Sequence, residues 1–189
     1  MGDYVHRVVD AVLGTAFMPA FMRHRLMRAW GFDLAPDACI WSGASFRSRR
    51  ISIGSQVFIN VGFFYDGAED AIIENNVRIG QFVRLITATH EIGPPEQRCC
   101  VEALARPIRI EKGCWIGAAV TILPGVTIRS GCVIAAGAVV LDSTERNGLY
   151  AGVPARLVRK LADTRHPRGD LAAPAPIPIE SPRWRDAAP

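Results

Sequence analysis

The chain has 189 residues and four histidines, and His90 is the one inside its central region, where a lone imidazole can be either structural or a base. His6 and His166 lie near the two ends and His24 in an N-terminal segment, whereas His90 sits mid-chain in the run TATHEIG at 87–93. A neutral imidazole near pH 7 can take the proton of an attacking hydroxyl or amine as a new bond forms. Such a base contributes about 10²–10⁴-fold to a rate. Asn60 directly follows an aliphatic residue, in an outward corner where asparagine is well tolerated. Trp115 offers an aromatic surface, either for a ligand or for packing. Cys99 and Cys100 are adjacent thiols with no neighbouring group that would favour a thiolate, so neither is read as a covalent nucleophile. A zinc site built from three imidazoles is excluded, because the middle of the chain supplies only one.

These residues are set in a repeat. From Ile110 an aliphatic recurs every six residues, at Ile116, Ile122, Ile128, Ile134 and Val140, and a slim residue follows each four places on: Cys114, Val120, Val126, Cys132, Ala138 and Thr144. Neither a 3.6-residue helix nor a simple strand pair produces that spacing. A six-residue period marks a solenoid in which each hexapeptide is a short strand plus a corner, with three hexapeptides closing one triangular coil. The rhythm is also present upstream, as Leu34, Ile40 and Phe46, then Ile53, Ile59 and Tyr65, then Ile73, Ile79 and Leu85, with Val77, Val83 and Thr89 at the slim places of the last set. It slips by one near Arg47 to Ile51 and pauses near Gly67 to Asp70. The sets of three predict about five coils in an all-β solenoid over 34–148. A solenoid of this kind leaves open ends that need caps and flat faces that invite self-association.

Where the rhythm fails, other structure is expected. Residues 1–33 read as a helical cap, with Phe17, Phe21, Leu26 and Trp30 on one side and Arg23, Arg25 and Arg28 on another. This segment suits packing over the first coil; a membrane-surface or acceptor-binding helix is the alternative. Residues 91–107, with Pro94 and Pro95, read as a protruding loop, and loops on rigid scaffolds commonly carry function. Residues 149–166 (YAGVPARLVRKL within them) read as a C-terminal helix opened by Pro154. The Pro- and Ala-rich stretch 167–189, with Trp184, reads as an extended or disordered tail.

Composition narrows the class. A mean hydropathy of +0.15 supports a large buried core, yet no apolar run is long enough for a membrane span. The N-terminus lacks the layout of a signal peptide. Five cysteines without CxxC spacing, two of them at slim core places, indicate reduced thiols and a cytoplasmic protein. A net charge of +4 suits an anionic small molecule better than nucleic acid, which calls for a dense basic face.

Four runs together, ITATHEIG (86–93), IRIEKGCWIGAAVTILPGVTI (108–128), VIAAGAVV (133–140) and AGVPARLVRK (151–160), resemble the hexapeptide-repeat acetyltransferases, nearest the maltose, galactoside and nodulation-factor O-acetyltransferases. The resemblance covers roughly residues 51–161. It implies a left-handed parallel β-helix, an exception to the usual right-handed crossover. It also implies a homotrimer with acetyl-CoA between adjacent prisms, no metal, and a sugar-like hydroxyl acceptor. By the same resemblance His90 is the general base and Asn60 helps hold the acceptor. Asp66 or Glu69 would be an acidic acceptor contact, and Glu91 could orient the imidazole or stand in solvent. Trp115 would line the cleft for acceptor and cofactor arm, and backbone groups at Gly117, Ala118 and Ala136 would bond that arm. Arg156 and Arg159, with Lys160, would face the nucleotide phosphates. Asp142 departs from the family, standing where a lysine is common. Transfer to an amine, a carrier-protein acyl donor, or a non-catalytic scaffold are the competing readings.

Overall fold

Every sixth residue of the repeat reaches the axis of a triangular prism, and the strands around it are no longer than that geometry needs. The computed structural model describes residue 8 and residues 10–162. The first coil is β1 (Asp33–Leu34), β2 (Cys39–Ile40) and β3 (Ser45–Phe46), and the second is β4 (Ile51–Ile53), β5 (Phe58–Ile59) and β6 (Phe64–Tyr65). The third is β7 (Ala71–Ile73), β8 (Arg78–Ile79) and β9 (Arg84–Leu85). A hairpin, β10 (Ala88–Ile92) and β11 (Cys99–Ala105), then leaves the prism. The fourth coil is β12 (Ile108–Ile110), β13 (Trp115–Ile116) and β14 (Thr121–Ile122), and the fifth β15 (Thr127–Ile128), β16 (Val133–Ile134) and β17 (Val139–Val140). Strand β18 (Gly148–Ala151) opens a sixth turn, one strand beyond the five coils expected. The result is a left-handed parallel β-helix.

Successive coils pair in parallel and in register, so like residues stack on like. On the first face Leu34, Ile53, Ile73, Ile110 and Ile128 form one column. On the second face the column is Ile40, Ile59, Ile79, Ile116, Ile134 and Tyr150. On the third it is Phe46, Tyr65, Leu85, Ile122 and Val140. All of these are buried, as are the slim residues Val77, Val83, Cys114, Val120, Val126, Cys132, Ala138 and Thr144 at the converging corners. Full burial of one such aliphatic is worth about 1.5–3 kcal/mol. Thr89 is the exception among the predicted slim places: it is exposed, because the chain turns out into β10 one residue earlier and Thr87 is buried instead.

Two predicted elements are replaced. The segment 91–107 is not a loop, because β10 and β11 pair antiparallel over most of it, beginning at Ala88↔Ala105. Residues 149–166 do not form a helix in the part that is described. Strand β18 adds to the second face beside β16, and β19 (Arg156–Lys160) folds back antiparallel on it, after a turn that contains the cis Val153–Pro154 bond. The physical reason is the open edge of the last coil, whose backbone groups would otherwise lack partners. The predicted tail at 167–189, including Trp184, lies outside the described residues.

The N-terminal end is closed differently. Residues 10–14 are helical, and helix α1 (Ala20–Ala29) starts directly after Pro19. The face that α1 buries is Arg23, His24 and Met27, while Phe17, Phe21, Leu26 and Trp30 stay exposed. Arg23 is only 1% exposed, and each of its three guanidinium nitrogens donates. Its Nε donates to the Leu13 carbonyl, Nη1 to that of Ile40 at 3.1 Å, and Nη2 to those of Thr15 at 2.7 Å and Met18 at 2.9 Å. One guanidinium therefore ties the entering chain, the helix and the first coil together. Replacing Arg23 by Met keeps the volume but strands these carbonyls, each worth about 1–3 kcal/mol when buried without a donor. Equilibrium urea unfolding of Arg23→Met should show a stability loss of about 3 kcal/mol or more; an unchanged midpoint would mean that the cap does not depend on this residue.

Candidate functional site

The outward residue of each hexapeptide strand precedes the core aliphatic, so on the second face these residues also form a column: Phe58, Arg78, Trp115, Val133 and Leu149. Beside it runs the corner between the second and third faces, with Asn60, Gly80, Gly117 and Ala135 at equivalent places. Together they line an open groove of about 590 Å³. It brings together five of the predicted site residues: Asn60, Trp115, Gly117, Ala118 and Ala136.

Glycine is required at two places of this corner. A Cβ on Gly80 would come within 2.7 Å of the Ala118 nitrogen, and one on Gly117 within 2.6 Å of the Ala136 nitrogen, so the coils close tightly only without one. The amides of Asn60, Gly80 and Gly117 are consumed by the next coil, donating to the carbonyls of Ile79, Ile116 and Ile134. Gly117 therefore shapes the groove while its N–H belongs to the ladder. The amides one place on, at Ala118 and Ala136, have no partner among the described residues and line the groove. The Asn60 Oδ1 accepts from the Val61 amide at 2.8 Å, which fixes the side chain and leaves its NH₂ as the available donor. Trp115 is 60% exposed, presenting its indole rather than packing it.

His90 stands elsewhere, on β10, which leaves from the corner between the third and first faces. It is exposed and is not part of the groove lining. Its Nδ1 lies 2.7 Å from the Cys100 carbonyl across the hairpin. A carbonyl can only accept, so Nδ1 carries the proton and the lone pair is on Nε2. Glu91 is exposed beside it, with no bond to the imidazole. One chain thus holds a groove and an imidazole at different corners, and does not bring His90 to Asn60.

The remaining predicted residues divide. Asp66 is turned toward the backbone: its carboxylate accepts from Thr87 N at 2.8 Å, Ala88 N at 3.2 Å and the Thr87 hydroxyl. Glu69 pairs with Arg50 and is likewise engaged. Arg156 reaches Asp142 at 3.5 Å, and Lys160 pairs with Glu145. Arg159 lies opposite Leu149 in the β18–β19 pairing, at the far end of the same face as the groove, and has no partner among the described residues. Burial pushes the Cys114 thiol up to about 12, so this core cysteine is no nucleophile. Sequence reasoning missed Phe58, Arg78, Val133 and Leu149 as groove residues. The signal was available, since each occupies the same place in its hexapeptide as Trp115.

Comparison with known proteins places these features in context. Residues 107–142 match the family model described as the hexapeptide repeat of succinyl-transferase. The chain is 30% identical over 121 residues to the galactoside O-acetyltransferase of Lactococcus lactis, covering 64% of this chain and 58% of that one. It is 35% identical over 114 residues to the galactoside O-acetyltransferase of Escherichia coli, covering 60% and 56%. The match spans a little over half the length of the curated relatives. Among solved structures, a hexapeptide-repeat acetyltransferase of Vibrio cholerae complexed with acetyl coenzyme A superposes with a TM-score of 0.69 at 29% identity, covering 85% of this chain and 87% of that one. A galactoside acetyltransferase in complex with coenzyme A superposes with a TM-score of 0.71 at 26% identity, covering 85% and 81%.

Proposed function

This chain belongs to the hexapeptide-repeat acetyltransferases, and from that premise we propose that it transfers an acetyl group from acetyl-CoA to a hydroxyl of a sugar or sugar-bearing small molecule. The observation that carries the reading is the His90 imidazole, its Nδ1–H held by the Cys100 carbonyl and its Nε2 left free as a base. The groove fits the donor. It is apolar along Trp115, Val133 and Leu149, and it offers the unpaired amides of Ala118 and Ala136 to the amide carbonyls of a pantetheine arm. Arg159, at its far end, is available to a phosphate.

In this reading the site is assembled between copies, with His90 of one chain meeting the Asn60 groove of the next in a homotrimer. Support comes from the apolar side chains that the hairpin exposes at Ile92 and Val101, and from the separation of His90 and Asn60 on different corners of one prism. Asn60 donates to the acceptor oxygen. His90 Nε2 takes the hydroxyl proton as that oxygen closes on the acyl carbon, and returns it to the departing thiolate sulfur, so no acyl-enzyme is formed. A free amide one place past the corner column, at Ala118 or Ala136, is suited to the developing oxyanion. Five free thiols suit the reducing cytoplasm.

His90→Ala should lower kcat by at least about a hundredfold, measured as thiol release from acetyl-CoA against a panel of sugars, nucleotide sugars and glycosylated products. Light scattering of the same variant should give three times the 20.6 kDa chain mass, as for the unaltered protein. Retained turnover would remove His90 as the base. Trp115→Ala should act on the donor instead, raising the KM for acetyl-CoA about tenfold, the equivalent of about 1.4 kcal/mol of lost aromatic contact, with kcat changed little. A rise confined to the acceptor KM would place the indole on the acceptor.

A further inference from the structure

We propose that Asp66 is a positioning residue that sets the angle at which the His90 hairpin leaves the prism, and is not a contact to the acceptor. The inference rests on His90 being the base, as argued above, and adds to it how that base is held.

The hairpin has to depart from a corner where the repeat simply ends. Asp66 occupies that corner in the coil below, its own amide donating to the Leu85 carbonyl at 3.2 Å. Its two carboxylate oxygens receive four donors. Oδ2 accepts from Thr87 N at 2.8 Å and Ala88 N at 3.2 Å; Oδ1 accepts from the Thr87 hydroxyl and, at 3.5 Å, from Ala68 N. A carboxylate with both oxygens occupied has little left to offer a ligand.

Thr87 is the other half of the latch. It is fully buried, and each of its polar groups is used. Its amide and hydroxyl donate to Asp66, the same hydroxyl oxygen accepts from Glu69 N at 3.0 Å, and its carbonyl accepts from Arg106 N at 2.8 Å. Arg106 directly follows β11, so one residue grips both legs of the hairpin. Behind it, the Tyr65 hydroxyl lies 2.7 Å from the Arg50 carbonyl and 2.6 Å from that of Glu69, one of which takes its single proton. Arg50 in turn pairs with Glu69 and Asp70. The corner is therefore stiff, whereas the hairpin beyond it is almost wholly exposed.

Leverage makes the stiffness matter. His90 lies three residues past Thr87, roughly 10 Å along an extended strand. A tilt of about 10° at the corner would move the imidazole nearly 2 Å, and a misplacement of about 1 Å can cost on the order of 10²-fold in rate. Asp66 thus acts through another residue and leaves the reacting atoms untouched.

The test compares Asp66→Asn and Thr87→Val, both close in shape to the originals, with Thr87→Ser, which keeps the hydroxyl. Steady-state kinetics are read on several acceptors that differ by one hydroxyl, and hydrogen–deuterium exchange on the amides of 88–105. Asp66→Asn and Thr87→Val should each lower kcat about 10- to 100-fold. The acceptor KM should stay within about threefold for every acceptor, hairpin amides should exchange faster, and Thr87→Ser should recover most of the rate. An acceptor KM that rises tenfold or more with kcat kept would make Asp66 a substrate contact and overturn the proposal. So would an unchanged hairpin exchange, or a loosened hairpin with full turnover. Failure of the base reading is separable: it would appear as full turnover in His90→Ala, whatever the hairpin exchange shows.

Discussion

The in-register hydrogen bonding of each coil to the next is the constraint from which the rest of this molecule follows. Strands of two or three residues are far too short to be stable as isolated pairs, and they persist only because every backbone bond is repeated one coil above and one coil below. Once register is fixed on three faces, a side chain's environment is decided by its place in the hexapeptide. The aliphatic place is always buried. The place before it always faces out, and the place after it always lies at a corner.

That rule converts a linear pattern into a site. Trp115 has a place in the groove because Phe58, Arg78, Val133 and Leu149 share its position on successive coils. Gly80 and Gly117 stand where the coils approach too closely for a Cβ, and the amides that follow at Ala118 and Ala136 remain unused by the ladder. A row of free N–H groups beside an apolar strip suits a long ligand that alternates carbonyls and methylenes. Repetition thus supplies an extended binding surface, but it cannot supply a base. A repeat that placed one histidine at a given corner would pack that corner like the others, and the imidazole accordingly sits where the repeat is broken.

The sequence was legible wherever periodicity alone decided the outcome. The core columns and nearly all of the small corner residues could be read from spacing, because burial in a prism follows position, whereas the exit of the chain at Ala88 came earlier than the slim place expected at Thr89. It was less legible where an open edge had to be closed. YAGVPARLVRKL looks helical in isolation, yet the unpaired edge of β16 is a stronger demand than local propensity, and the segment becomes β18 and β19. The interruption at 91–107 was misread for a similar reason: its prolines suggested a loop, but Pro94 and Pro95 fall at the hairpin's tip and Pro107 beyond its base, all outside the paired residues of β10 and β11. At the N-terminus the aromatic residues suggested the buried face of α1, whereas Arg23 took it, because the carbonyls of the first coil and the entering chain needed donors more than the interior needed another ring. Asp66 could not be assigned from spacing, since its role depends on Thr87, a residue 21 positions away that only the coil geometry makes a neighbour.

The C-terminal hairpin bears on the nucleotide end of the proposed donor. Asp142 departs from the expected lysine and pairs with Arg156 at 3.5 Å, with both side chains largely exposed. An ion pair of that kind is worth about 0–1 kcal/mol, too little to be the reason for the geometry of the turn. Charge-assisted bonds from a guanidinium to a phosphate are stronger, particularly when bidentate. The Asp142 carboxylate therefore competes for Arg156 only weakly, and an anion reaching this corner would exchange one partner for a better one. Arg159 needs no such exchange. It stands across from Leu149 on the face that carries the groove, with its guanidinium uncommitted among the described residues. The positive charge that the family resemblance leads one to expect at position 142 is thus offset, in the proposed donor site, by the arginine that β19 carries to the end of the groove.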